Sequence, residues 1–192
     1  MLRTQLLILL LSLLSSHAFA QWTLDAERSS LSFVSIKAGN IAETHRFNTL
    51  SGHIDEDGNA LLTISTASID TLIPIRDERM QEFLFATGMF PDISMRVVLS
   101  TDSLEQSKQE PTSLQNILGT LTIRDKEVAV QADVMVANLS DGAVLVTSTK
   151  PILLNASAVG LDGGVEKLRE LAGLPSISQA VPVIFTLVFT LA

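Results

Sequence analysis

His45, His53 and Asp55 are the side chains of this sequence best suited by type to acid–base work or to holding a metal. Period-two spacing puts His53 and Asp55 on one face of a strand, whereas the register of His45 is open. A hydrolase or a metal-dependent enzyme built on these three residues is therefore the alternative to be weighed. Against it stands the inventory. The chain has no cysteine and three histidines, one of them in the N-terminal segment, so thiolate ligands, cysteine nucleophiles and disulfides are excluded together. No Gly-x-Ser-x-Gly elbow, phosphate loop or dinucleotide fingerprint is present. The expectation is a protein that is not an enzyme and carries neither metal nor cofactor. Arg76-Asp77 is the other notable pair. Arg76 has the guanidinium geometry to meet a phosphate or another polar head, and Asp77 is equally placed to favour a helix start.

The elements that would position these residues are mostly strands. Leu31-Ser32-Phe33 alternates, and Val34 and Ile36 then carry the apolar phase on the opposite parity, which points to a bulge or bend. Phe47 and Ser51–Asp55 belong to further strands, and the Asp57-Gly58 turn leads into Ala60–Ser68. Met80, Phe83 and Leu84 fit one face of a short helix over Asp77–Ala86, stopped by Gly88 and Pro91. Alternation resumes at Ile93–Leu99. Thr101–Ser113 reads as an exposed polar loop, followed by strands at Leu118–Ile123, Val128–Val136, Ala143–Thr149 and Pro151–Ala158. Gly163-Gly164 opens a second helix with Val165, Leu168 and Leu171 on one face, ended by Gly173 and Pro175. The terminal run Val181–Leu191 alternates throughout. The pattern predicts an all-β domain of about eight antiparallel strands with two short helical insertions, best relieved of its edges by closing into a barrel.

The chain's start reads as an export signal. Arg3 precedes the apolar run Leu6–Leu14, and Ala18-Phe19-Ala20 is a small-x-small cleavage pattern. The run is shorter than the roughly 20 residues that span a bilayer. Residues 1–20 are thus expected to be removed after Ala20, leaving residues 21–192 as one periplasmic or secreted domain without a transmembrane anchor. A net charge of −8 with no basic stripe makes a nucleic-acid partner unexpected.

Trp22-Thr23-Leu24-Asp25 and Ser30–Phe33, followed by Phe47, Gly52, Ser68-Ile69-Asp70-Thr71, Arg76-Asp77, Phe83, Phe85, Phe90-Pro91 and Gly119–Ile123, resemble the YceI-like lipid/polyisoprenoid-binding family along essentially the whole exported chain. The sequence departs from the family at Ala38, where a histidine is frequent, at Arg124-Asp125, where a His-Gly pair is frequent, and at His45, where glycine is common. The resemblance implies a lipocalin-like antiparallel barrel enclosing a tunnel for a long isoprenoid, quinone or other lipid chain. Phe33, Phe47, Ile64, Phe83, Phe85, Phe90, Met95, Leu121 and Phe185 are then the candidate wall, with Arg76 at the mouth. A filled core with a purely structural or interaction role is the rival reading, and a homodimer is an option. Length matters to such a site: burying a methylene yields about 0.8 kcal/mol against an association cost of roughly 4–15 kcal/mol, so a chain of some twenty carbons binds where a five-carbon fragment fails.

Overall fold

The computed structural model describes residues 22–100 and 110–191. The segment read as an export signal, its cleavage point after Ala20, and most of the loop beginning at Thr101 lie outside these residues.

Among the described residues, alternation delivers twelve strands: β1 (Trp22–Leu24), β2 (Ser30–Lys37), β3 (Ile41–Phe47), β4 (Leu50–Ile54), β5 (Asn59–Ser65), β6 (Ile69–Asp70), β7 (Asp92–Val98), β8 (Thr112–Ile123), β9 (Lys126–Asn138), β10 (Val144–Ser148), β11 (Ile152–Asn155) and β12 (Ala180–Leu191). Ladders run β1-β4-β5-β7-β8-β9-β10-β12, and β12 pairs back onto β1, so eight antiparallel strands close a ring. The others lengthen its wall. β2 pairs with β12 further along from β1, β3 with β2, and β6 with β3, while β11 continues from β10 along β12. Closure leaves this ring without the edges that an open sheet would present.

One seam lacks a ladder. β9 pairs with β10 only between Val134 and Asn138, and β11 pairs with β12 alone. Side chains seal the seam instead, with Ile152 packed on the Ala132, Val134 and Val136 cluster.

Three sequence expectations change. Thr112 and the buried Ser113 belong to β8 rather than to the exposed loop expected over Thr101–Ser113. β2 meets β3 residue for residue from Leu31 opposite Phe47 to Lys37 opposite Ile41, with no bulge. The phase change marks the point where the inner face turns from apolar Leu31 and Phe33 to polar Ser35 and Lys37. The first helix begins earlier than expected, as α1 (Pro74–Arg79), with proline in its first turn where a missing N–H costs nothing. It continues as a π-helical turn over Met80–Phe85 and ends at Ala86, in the left-handed region with φ 50°, rather than at Gly88. The second helix, α2 (Asp162–Leu171), holds Gly163 and Gly164 inside its first turn. Gly164 is needed there: a Cβ would lie 2.7 Å from the Phe83 carbonyl oxygen and 2.8 Å from the Leu84 Cα, closer than packed atoms allow. The two helical insertions thus interlock and close one end of the barrel.

Candidate ligand-binding cavity

The barrel is hollow. A cavity of about 410 Å³ runs along its interior, within the range of small-molecule and cofactor sites. At the closed end its lining includes Phe33, Phe47, Leu84, Phe85, Leu161 and Val165, all buried. The three phenylalanine rings pack in sequence, Phe33 tilted against Phe47 at 5.7 Å and Phe47 edge-on to Phe85 at 5.6 Å between centroids. The wall continues through inward-facing residues of β10 and β12, including Val146, Val183 and Phe185. These stay half-buried although they face inward, as side chains do around unfilled space. At the opposite end the lining reaches Trp22, Ile54, Leu99, Gln115, Asn138 and Val144, which are half-buried or exposed. Among the described residues, Gln115 and Asn138 are the only polar members of the lining and no charged side chain belongs to it.

Of the residues singled out from sequence, Phe33, Phe47, Ile64, Phe85, Met95, Leu121 and Phe185 line this cavity. Phe83, Phe90 and Arg76 do not. The π-helical turn aims Leu84 and Phe85 inward and leaves Phe83 half-buried with Lys167 Nζ 6.0 Å from its ring centre. Phe90, beyond the reversal at Ala86, lies under the Arg124 guanidinium at 5.5 Å. Arg76 is committed elsewhere: Nη1 donates to Glu43 Oε2 at 2.8 Å and Nη2 to the Thr71 carbonyl at 2.6 Å. Sequence reasoning missed Gln115, Asn138 and the half-buried aliphatic wall of β10. Their signal was present as alternation along β8 (Gln115, Ile117), β9 (Val134, Val136, Asn138) and β10 (Val144, Val146), but a polar residue on an inward position looks like a break in pattern.

Arg76 belongs to a polar cluster on the inner face of β2 and β3. Lys37 Nζ pairs with the same Glu43 oxygen at 2.8 Å, and Lys37, then Arg76, hold the Glu43 carboxyl below its usual range. Asp77 Oδ1 accepts from the Thr71 amide at 2.8 Å and from its hydroxyl at 2.5 Å, which fixes the loop that enters α1. His45, only 3 % exposed, shares a hydrogen bond between Nε2 and Ser35 Oγ at 2.8 Å and packs edge-on against Phe33. Burial pushes its imidazole down from the ordinary value, and the Arg76 charge adds to this. His53 lies on β4 opposite Thr23 of β1 and beside the Asp55 turn, towards the end of the barrel that holds Trp22. His45, His53 and Asp55 therefore do not converge, and among the described residues no group of three or more His, Asp or Glu side chains is arranged to hold a metal ion.

A closed antiparallel barrel around an apolar hollow defines a lipocalin-like container. The chain belongs to the YceI-like domain family, whose model matches residues 22–189. A polyisoprenoid binding domain from Saccharophagus degradans implicated in plant cell wall breakdown is 33% identical, with a TM-score of 0.84 over 89% of this chain and 98% of that one. BcnA of Burkholderia cenocepacia shares the fold at 22% identity and a TM-score of 0.67, covering 87% of this chain and 99% of that one. The YCEI protein of Campylobacter jejuni does so at 19% identity and a TM-score of 0.54, over 77% and 84% of the two chains. Among curated proteins, none matches the chain.

Proposed function

We propose that this protein is an exported binding protein whose barrel holds the tail of an isoprenoid-type lipid, and that it catalyses no reaction. The observation that carries this reading is the cavity of about 410 Å³ with its almost wholly apolar wall. A cavity of about 150 Å³ admits benzene, so by proportion this one encloses some 15 carbons, or three isoprene units. Burying them yields about 12 kcal/mol, within the roughly 4–15 kcal/mol that association costs. A longer chain gains further only where it touches the apolar rim at Trp22, Ile54 and Leu99. The likeness to a polyisoprenoid binding domain supports the same ligand class, and the pattern Arg3, Leu6–Leu14, Ala18-Phe19-Ala20 supports export. Phe33, Phe47, Phe85, Met95 and Phe185 make the tail contacts in this account. Native mass spectrometry of gently purified protein tests it. A retained mass that extraction identifies as a prenyl or related lipid is expected, as is uptake of farnesol or geranylgeraniol by stripped protein. Protein that carries nothing and takes up neither alcohol sinks the proposal.

A further inference from the structure

The wall of the cavity is not bonded equally all round. β8 and β9 pair over their whole shared length, from Thr112 opposite Ala137 to Ile123 opposite Lys126. On its other side β9 is laddered by β10 only from Val134 to Asn138. One further tie follows. The Thr149 amide and hydroxyl donate to the Asp133 carbonyl at 2.9 and 3.1 Å, and Lys150 Nζ lies 2.5 Å from Asp133 Oδ2. Pro151 then ends the pairing, because it has no N–H to offer and its ring restrains Lys150. The chain returns as β11, which pairs with β12 alone. Residues 126–132 of β9 and β11 thus face each other as two strand edges without a ladder. At the far end the turn at Gly160 comes up against Lys126, so close that a Cβ on the glycine would lie 3.0 Å from Lys126 Cγ. The result is a slit bounded at both ends.

Both lips of the slit belong to the cavity. Val130 and Ala132 on one side and Ile152 and Leu154 on the other are lining residues. Ile152 bridges the gap by packing on the Ala132, Val134 and Val136 cluster. Val130 and Ala132 are buried, whereas Ile152 and Leu154 stay half-buried. The outer side of the β11 lip is apolar too. Leu153, 74% exposed, stands opposite Pro182 of β12, and Ile184, 50% exposed, follows two residues on along the same face. An apolar path therefore runs from the outer surface over the edge of β11 into the hollow. Parting the wall between β8 and β9 would break a ladder of hydrogen bonds that must then find other partners. Parting it at the slit separates only side-chain contacts, each individually weak. Regions held in that way are the ones that open locally.

We infer that the slit between β9 and β11 is a lateral portal, through which the hydrocarbon tail enters and leaves the barrel sideways instead of threading its whole length through the end that holds Trp22. This rests on the tail-binding reading above and adds the route to it.

The chain has no cysteine, so Ala132→Cys with Ile152→Cys introduces a single, unambiguous cross-link over the slit. Stripped protein takes up tritium-labelled geranylgeraniol from phosphatidylcholine vesicles, and loaded protein releases it to an excess of unlabelled vesicles. Both rates are read in the oxidised and the reduced state. The expected result is affinity equal within about twofold, with uptake and release each slowed at least about tenfold by oxidation and restored by reductant. Equal rates in the two states overturn the portal and leave the tail reading intact. Ile152→Ala is an independent arm that needs no cross-link, with the melting temperature confirming a folded barrel. Removing the side chain that seals the slit should raise uptake and release together, each by at least about fivefold. Faster release with unchanged uptake would make Ile152 a wall residue only and overturn the portal. If the natural chain takes up no geranylgeraniol, the tail reading itself falls, and this inference with it.

Discussion

His45 has to stay neutral where β3 puts it. Its imidazole is buried against Phe33 with Arg76 nearby, so its folded pKa lies below the ordinary value of about 6.5. Between those two values the unfolded chain binds more protons than the folded one, so stability rises with pH through that window. The contribution is fully present above about pH 6.5 and is lost as pH falls through the depressed folded value. Thermal melts from pH 7 to pH 5 should therefore show a falling melting temperature, and His45→Gln should flatten that slope. The carboxylates held low by partners, such as Asp70 and Asp133, add their losses only at more acidic pH. An unchanged slope in His45→Gln would remove this assignment. Arg76 makes a complementary case. Arg76→Met leaves the Thr71 carbonyl without its guanidinium partner and Glu43 with Lys37 alone, a loss of about 1–3 kcal/mol, visible as a lower denaturation midpoint. Because Arg76 stands outside the cavity lining, farnesol uptake should not change. A variant that keeps its stability but loses uptake would return Arg76 to the head-group role suggested by its guanidinium alone.

At the scale of elements, the glycine pair in α2 separates packing from propensity. A Cβ added to Gly164 would meet the π-helical turn at sub-contact distance, while a Cβ on Gly163 meets nothing within 4 Å. Gly164→Ala should cost about 1–3 kcal/mol through overpacking, whereas Gly163→Ala should gain up to about 1 kcal/mol from helix propensity. Urea denaturation of the two variants checks this, and equal effects would mean that α2 does not seat where described. The strands were largely legible in the sequence, since alternation of Leu62 with Ile64, or of Val183 with Phe185, depends only on local pattern. What was not legible depended on distant partners. Ser35 and Lys37 look like a phase error until Glu43, His45 and Arg76 are seen across from them. Phe83 looks like a wall residue until the π-helical turn rotates it out of the lining. The barrel's inner wall was read in part, through Phe33, Phe47, Ile64, Phe85, Met95, Leu121 and Phe185. Gln115 and Asn138 were not, because nothing in the spacing of one strand tells which end of a closed ring it reaches.

For the whole molecule, the claim is that the barrel is under-filled by design of its sequence. An ordinary core packs to crystal-like density with few voids larger than water, yet here Val146 and Val183 face inward and remain half-buried. Val146→Phe adds a ring to that space. It should leave the melting temperature within about 2 °C or raise it, since filling a cavity offsets a term of about 24 cal/mol per Å³. The same change should weaken farnesol binding by at least about tenfold, a loss of 1.4 kcal/mol or more. A marked loss of stability would mean that the interior is already full. The most direct measurement is a crystal structure of the protein with geranylgeraniol. The expected result is a chain threaded through the barrel, with its hydrocarbon tail against Phe33, Phe47 and Phe85. An interior filled by its own side chains, or an alcohol found only on the outer surface at saturating concentration, would contradict it.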